Sequence, residues 1–131
     1  MSLFPVIPVA ASGMEVDQTW LDSIGGNVAN ANDAVTPGGK VFRAQYIDAQ
    51  ESPDGGVGVA GVVLGSATGV LVSDPGNPLA NRQGLVEKPA IDMGTEMVGL
   101  VAAQNEYEAN AAVVSHATAA YQDALTIGQH I

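Results

Sequence analysis

The chain has 131 residues, no cysteine and a formal net charge of −10. That length suits a single domain, and the lack of Cys removes both a disulfide framework and thiol chemistry. Four Lys and Arg against fourteen Asp and Glu cannot neutralise a row of phosphates, which excludes nucleic acid as a partner.

The apolar fraction is 47%, but only two Phe, one Trp and three Tyr contribute bulk. Such a composition favours thin helix–helix contacts over a thick globular centre. The four bases, Lys40, Arg43, Arg82 and Lys88, all sit in the middle of the chain. Residues 1–39 and 89–131 carry acids only, so the two ends can pack together only through apolar contact working against like-charge repulsion.

Apolar residues with a three–four spacing begin at Phe4, Ile7, Ala11 and Met14 and continue at Leu21, Ile24, Val28 and Ala31. Gln18 interrupts the series and Trp20 lies beside it. This is the pattern of an amphipathic helix. Ser12 with Glu15 fits a capping box, yet the periodicity starts earlier, so the helix is predicted to begin near Pro8. Gly25-Gly26 weakens its interior. Helical signals fade after Ala31 into Asn32-Asp33 and the turn cluster Thr36-Pro37-Gly38-Gly39.

Short strands are predicted at Val41–Ile47, with Phe42, Ala44 and Tyr46 on one face, and at Val57–Leu64, Gly69–Val72 and Gly84–Lys88. Ser52-Pro53-Asp54-Gly55-Gly56 reads as a turn and Asp74-Pro75-Gly76-Asn77-Pro78 as an irregular loop. Pro89 closes the region and Asp92 is the expected N-cap of a long last helix. From Met93 to Ile127 that helix would be about 50 Å long. Its seam reads Met97, Leu100, Gln104, Tyr107, Ala111, Val114, Thr118, Tyr121 and Leu125, the three–four alternation of a coiled coil. The strongest positions are Leu100, Tyr107, Val114 and Tyr121.

The expected fold is mainly α with a small β-insert. Residues 1–35 form the N-terminal helix, 36–91 a β-rich insert with loops, and 92–131 the C-terminal helix of an antiparallel two-helix coiled-coil hairpin. This places the termini at one end and the insert at the other. A single hairpin of this kind leaves apolar seam uncovered, so further copies or partners are expected to complete it.

Catalytic signals are weak throughout. His116 and His130 lack the third ligand and the spacing of a zinc site, and His116 reads as a helix-surface or interface residue. No Ser sits in a nucleophile elbow. Glu106 and Glu108 diverge on a helix, while Asp92 and Glu96 are ordinary first-turn acids. No metal or cofactor is expected. Asn27, Asn30 and Asn32 crowd the end of the first helix. Asn32 suits a cap or turn, whereas Asn27 and Asn30 share a face from which they can bond across a helix interface and fix register. Asn110 is their expected counterpart on the last helix.

Both ends of the chain resemble one known family. Ala10-Ala11-Ser12-Gly13-Met14, Leu21-Asp22-Ser23-Ile24 and Asn27-Val28-Ala29-Asn30-Ala31-Asn32 are similar to the N-terminal signature of bacterial flagellar rod and hook proteins. Glu96-Met97-Val98-Gly99-Leu100-Val101-Ala102-Ala103-Gln104 and Tyr107-Glu108-Ala109-Asn110 are similar to their C-terminal signature. Ser73-Asp74-Pro75-Gly76-Asn77-Pro78, Gly84-Leu85-Val86 and Pro89 resemble the segment before that signature in the short proximal-rod, FlgC-type branch. Two departures stand out. Gly26 precedes Asn27 where the family has a second Asn, and Asn105-Glu106 stands where a basic residue is common.

The resemblance implies a non-enzymatic subunit of the basal-body rod. Its terminal helices would pack in layers around a central export channel, and the rod would transmit torque from motor to hook. Implied partners are copies of itself, other rod proteins, basal-body adaptor and MS-ring components, and the flagellar type III export apparatus. The implied location is the periplasmic rod, reached without a cleaved signal peptide, in keeping with the absence of an ordinary secretory pattern at the N-terminus. Neither nucleic-acid binding nor membrane insertion is expected. The predicted subunit-interface residues are Met14, Leu21, Ile24, Asn27, Val28, Asn30, Met97, Leu100, Tyr107, Asn110, Val114, Tyr121 and Leu125.

Overall fold

A computed structural model of the chain describes residues 5–129. Phe4, the first residue of the predicted seam, and His130 lie outside this range. The elements run in the order α1 (Val6–Asn30), β1 (Gln45–Glu51), β2 (Val57–Leu64), β3 (Val70–Ser73), β4 (Leu85–Lys88) and α2 (Met93–Gln129). The expected class is what is found: two long helices with a small antiparallel β-insert between them.

Helix α1 begins two residues before the predicted start and without a side-chain cap. Pro8 falls in its first turn, where a missing N–H costs nothing because those donors have no partner within the helix. Ser12 is therefore not a cap. Its hydroxyl donates to the Val9 carbonyl at 2.7 Å, inside the helix, and accepts the Val57 N–H at 3.1 Å. Asp92 does cap α2. Its Oδ1 accepts the Thr95 N–H at 2.8 Å, and that bond holds the carboxyl below its ordinary pKa despite the opposing effect of burial. The 37 residues of α2 make it about 55 Å long, against about 37 Å for α1.

The helices lie antiparallel, and small residues let them approach closely. Ala10, Ala31 and Ala103 are buried between elements, with Ala103 fully so. A Cβ added to Gly99 would sit 3.3 Å from Ile24 Cδ1, and one added to Gly13 would sit 2.6 Å from Asn110 Nδ2. The inward line of α2 is Glu96, Leu100, Ala103, Tyr107, Asn110 and Val114, all buried or half-buried. The predicted seam is thus correct at Leu100, Tyr107 and Val114 but displaced by one residue in its other half. Met97, Gln104 and Thr118 are exposed. In α1 the same displacement puts Asp17 inward, where it is buried, and leaves Gln18 in solvent. Size alone sets the predicted seam, whereas close packing selects small and polar side chains.

Strands β1 and β2 form an antiparallel hairpin with a register shift at Asp48/Ala49. Its turn uses Gly55 and Gly56 at φ near +90° (89° and 86°), a conformation that L side chains resist. Two expectations are corrected here. The predicted strand at Val41–Ile47 pairs with β2 only from Gln45 onwards, with one further bond in which the Ala44 carbonyl accepts the Gly65 N–H at 2.7 Å, just past the end of β2. Val41 and Ala44 are buried all the same. The hairpin also does not sit at the far end of the helix pair. It folds back along α1, with Gln45 bonded to Asn27 at one end and Val57 to Ser12 at the other.

Strands β3 and β4 pair separately, Val70 with Lys88 through Ser73 with Leu85. Val86 is fully buried. Beside it, buried Glu87 accepts backbone N–H groups from Gly38 at 2.7 Å and Gly69 at 2.8 Å. The Gly38 bond, then the Gly69 bond, hold its carboxyl below the ordinary range, outweighing burial. One side chain thereby ties the loop after α1 to the start of β3.

Candidate assembly surface

Asn27, only 1% exposed, sits where three elements meet. Its Oδ1 accepts the Gln45 N–H at 2.8 Å, and its Nδ2 donates to the Gln45 carbonyl at 2.9 Å and to Glu96 Oε2 at 3.2 Å. Ser23 Oγ donates to the same carbonyl at 2.6 Å. Asn27 thus pairs with a peptide group as another strand would, fixing the start of β1 and the first turn of α2 at one height on α1. Nearer the other end of α1, Asn110 Nδ2 donates to Asp17 Oδ2 at 3.0 Å. Gly13 leaves room for Asn110 to do so.

The structure uses the predicted asparagines differently from one another. Asn27 bonds across the helix interface, though to Glu96 and to β1 rather than to Asn110. Asn110 bonds across it to Asp17. Asn30 donates to the Gly26 carbonyl of its own helix at 2.8 Å. Asp17, Ser23, Glu96 and Gly13 are anchoring positions that the periodicity did not reveal. The signal present was Gly13 and Asp17 lying along the helix stripe, where large apolar residues would be expected.

Among the remaining predicted interface residues, Ile24 is buried within the chain itself. Met14, Leu21, Val28, Leu100, Tyr107 and Val114 are half-buried, while Met97, Tyr121 and Leu125 are exposed. From Thr118 to Gly128 every residue of α2 is exposed, because this part of α2 extends past the level of Ala10 on α1. The back of α2 is also apolar: Met97, Val98, Val101 and Ala102 with Asn105 form a shallow open trough.

The whole chain exposes 8587 Å². A compact monomer of 13.2 kDa would expose about 6,400 Å². The excess, about 2,200 Å², exceeds the area of two standard half-interfaces of about 800 Å² each. The excess reflects the elongated helix pair and the overhanging end of α2. Among the described residues no cluster of three or more His, Cys, Asp or Glu side chains could hold a metal ion, and no helix is long and apolar enough to cross a membrane. His116 is exposed on α2.

Residues 82–127 match the family model described as flagellar basal body rod FlgEFG protein, C-terminal, a span that takes in β4 and nearly all of α2. Over nearly its whole length the chain is similar to curated flagellar basal-body rod proteins FlgC. It is 34% identical to those of Escherichia coli O6:H1 and Salmonella typhimurium, with 98% of this chain and 100% of each relative covered. It is 30% identical to that of Borreliella burgdorferi, with 98% and 99% covered. At that identity and coverage the chain belongs to the FlgC family of flagellar basal-body rod proteins.

Proposed function

We infer that the chain is a structural subunit of the flagellar basal-body rod that assembles laterally through the exposed faces of its two helices. It is not an enzyme, since the family is structural. The observation that carries the reading is the row of exposed apolar residues on α2, among them Val98, Val101, Leu125 and Ile127, in a member of a rod family. Inside one chain, α1 covers only one face of α2 and stops short of its last three turns. Neighbouring subunits would cover the rest, as layers of helices around a central channel.

The finer parts of the reading come from the resemblance to flagellar rod proteins. Contacts along helices of about 55 and 37 Å are long lever arms, suited to carrying torque between motor and hook. The partners are other copies and other rod proteins, with basal-body adaptor and MS-ring components at the rod base. The flagellar type III export apparatus would deliver the chain to the periplasm without a cleaved signal peptide. A fold with a thin, alanine-rich core and polar anchors suits a chain that must pass a narrow channel unfolded.

The test is genetic. Deleting the gene in the parent organism should abolish motility and leave no complete hook–basal body by electron microscopy. The wild-type gene supplied in trans should restore both. A chain ending at Ala117, which keeps the α1–α2 contact, should restore neither. Normal basal bodies in the deletion strain would overturn the reading.

A further inference from the structure

Between α1, β1 and α2 lies a cleft of about 230 Å³, lined by Val16, Asp17, Trp20, Ile47, Ala49 and Glu106. Each element contributes side chains by its own periodicity. Val16, Asp17 and Trp20 span just over one turn of α1. Ile47 and Ala49 are two apart on β1 and share a face, with Asp48 on the other. Glu106 precedes Asn110 by four residues and so lies one turn from it on the same side of α2. The cleft is smaller than the roughly 300–1,000 Å³ of a small-molecule site, and suits one long side chain.

The chemistry of its walls is one-sided. Asp17 is 4% exposed, a burial that is costly for a carboxylate unless a cation or several donors face it. It has one donor, the neutral amide of Asn110, which bonds Oδ2 at 3.0 Å. Among the described residues nothing donates to Oδ1. No fully enclosed side-chain oxygen among them lacks a partner. Oδ1 therefore keeps an outlet to solvent, and the cleft is the space that Asp17 borders. Exposed Glu106 adds a second carboxylate and half-buried Trp20 an indole. No base stands near to balance them. α1 holds three acids, β1 two and α2 four, and none of the three elements holds a Lys or Arg.

An arginine side chain matches these surroundings best. Its planar guanidinium carries five donors, enough to bond Oδ1 of Asp17 and the Glu106 carboxylate together, and it stacks on an aromatic face. Its methylene stem is suited to the apolar walls formed by Val16, Ile47 and Ala49. Lysine offers a point charge without the plane that stacks.

The charge balance points to a different protein as the source. Copies of this chain carry −10 each and repel one another. Of its two arginines, Arg43 is already held by the Gly65 carbonyl at 2.9 Å and the Leu64 carbonyl at 3.4 Å. A partner that brings the missing cation is electrostatically matched to the cleft.

We propose that the Asp17–Trp20–Glu106 cleft receives an arginine side chain from a neighbouring rod protein other than this chain. The proposal rests on the rod reading and adds to it the chemistry of one contact between unlike subunits. The guanidinium supplies buried Asp17 with its counter-charge, and the fit of one side chain in the cleft fixes the register of the two proteins.

The test traps the neighbour in place. Exposed Ala49, at the edge of the cleft, is replaced by the photo-cross-linker p-benzoylphenylalanine in the deletion strain. Purified basal bodies are irradiated and the cross-linked peptides sequenced by mass spectrometry. The expected product joins this chain to an Arg-containing peptide of another basal-body protein, and changing that Arg to Gln should remove it. Asp17→Asn keeps an acceptor for Asn110. Combined with Glu106→Gln, it should lower the yield at least about tenfold, as loss of one side of a buried charge pair does. Circular dichroism of the isolated double variant checks that both helices are retained.

An undiminished product from the helical double variant would overturn the proposal. So would a product between copies of this chain, a peptide without Arg, or no product from basal bodies that contain the chain. If the wild-type chain is itself missing from basal bodies, the rod reading fails and the proposal with it, an outcome distinct from a rod that contains the chain without the cross-link.

Discussion

Replacing Asn27 with Ala is the sharpest test of how the insert is held. In Asn27→Ala the Gln45 carbonyl keeps its donor, Ser23 Oγ at 2.6 Å. The Gln45 N–H loses its acceptor at 2.8 Å, and the Glu96 carboxylate loses its donor at 3.2 Å. The Gln45 bond is part-buried, so its unpaired N–H costs about 1 kcal/mol, the low end of the range for buried donors, and a bond to a charged group contributes about 1.5–3 kcal/mol. The Glu96 bond is long and belongs at the lower end of that range. The expected loss is about 2.5 kcal/mol, or a fall in Tm of roughly 10 °C for a domain of this size. Thermal and urea unfolding followed by circular dichroism measure it, and hydrogen exchange at Gln45 reports the site directly. Ser23→Ala should cost only about 1 kcal/mol, because Asn27 still serves the shared carbonyl. Asn27→Asp, although isosteric, should be as damaging as Ala, since it removes both donations and sets a carboxylate beside Glu96. A loss below about 0.5 kcal/mol in Asn27→Ala would refute the idea that this side chain fixes β1 and α2 to α1.

Three other outcomes are expected. Gly13→Ala should destabilise by pushing Asn110 away from Asp17, whereas Gly25→Ala, with nothing within 4 Å of the added methyl, should stabilise by up to about 1 kcal/mol; paired melting curves decide. The Glu87 and Asp92 carboxyls are both held below their ordinary pKa in the fold, so their contribution is present above the unfolded-state pKa and lost as pH falls through the folded one. Unfolding measured from neutral pH downward should show this acid loss, and Glu87→Gln should shrink it. Val98→Asp should leave the isolated chain's melting unchanged but abolish swimming, while Leu100→Asp, on the inward face, should damage both; a swimming Val98→Asp strain would put the interface elsewhere.

The sequence was most legible where structure follows pattern alone. Val57–Leu64 forms a strand at the predicted bounds, Asp92 caps α2, and Leu100, Tyr107 and Val114 face inward. The seam was misread where the helices approach most closely. There the inward positions are Gly13, Asp17, Asn27, Glu96, Gly99 and Ala103, which hydrophobic periodicity scores as gaps. Met97 drew the predicted seam outward because it is large and apolar, although it is exposed in the chain. The hairpin's return along α1 was invisible for a related reason. It is fixed by the Asn27 and Ser12 side chains bonding to strand backbone, and a backbone partner leaves no mark in the sequence. The asparagine cluster pointed to polar contacts between the helices, but Asn27 bonds Glu96 and Gln45 rather than the expected Asn110, and Asn30 bonds its own helix.

The central claim is that α2 is completed by neighbouring subunits. Its last twelve residues, Thr118 to Gln129, are too few for a helix that is stable on its own in water. Amide exchange of this segment, measured in the isolated chain and in purified basal bodies, tests the claim most directly. The account predicts fast exchange in the isolated chain and strong protection in the basal body, with the Asn27–Gln45 region protected in both. Equal protection of Thr118–Gln129 in the two states would contradict it.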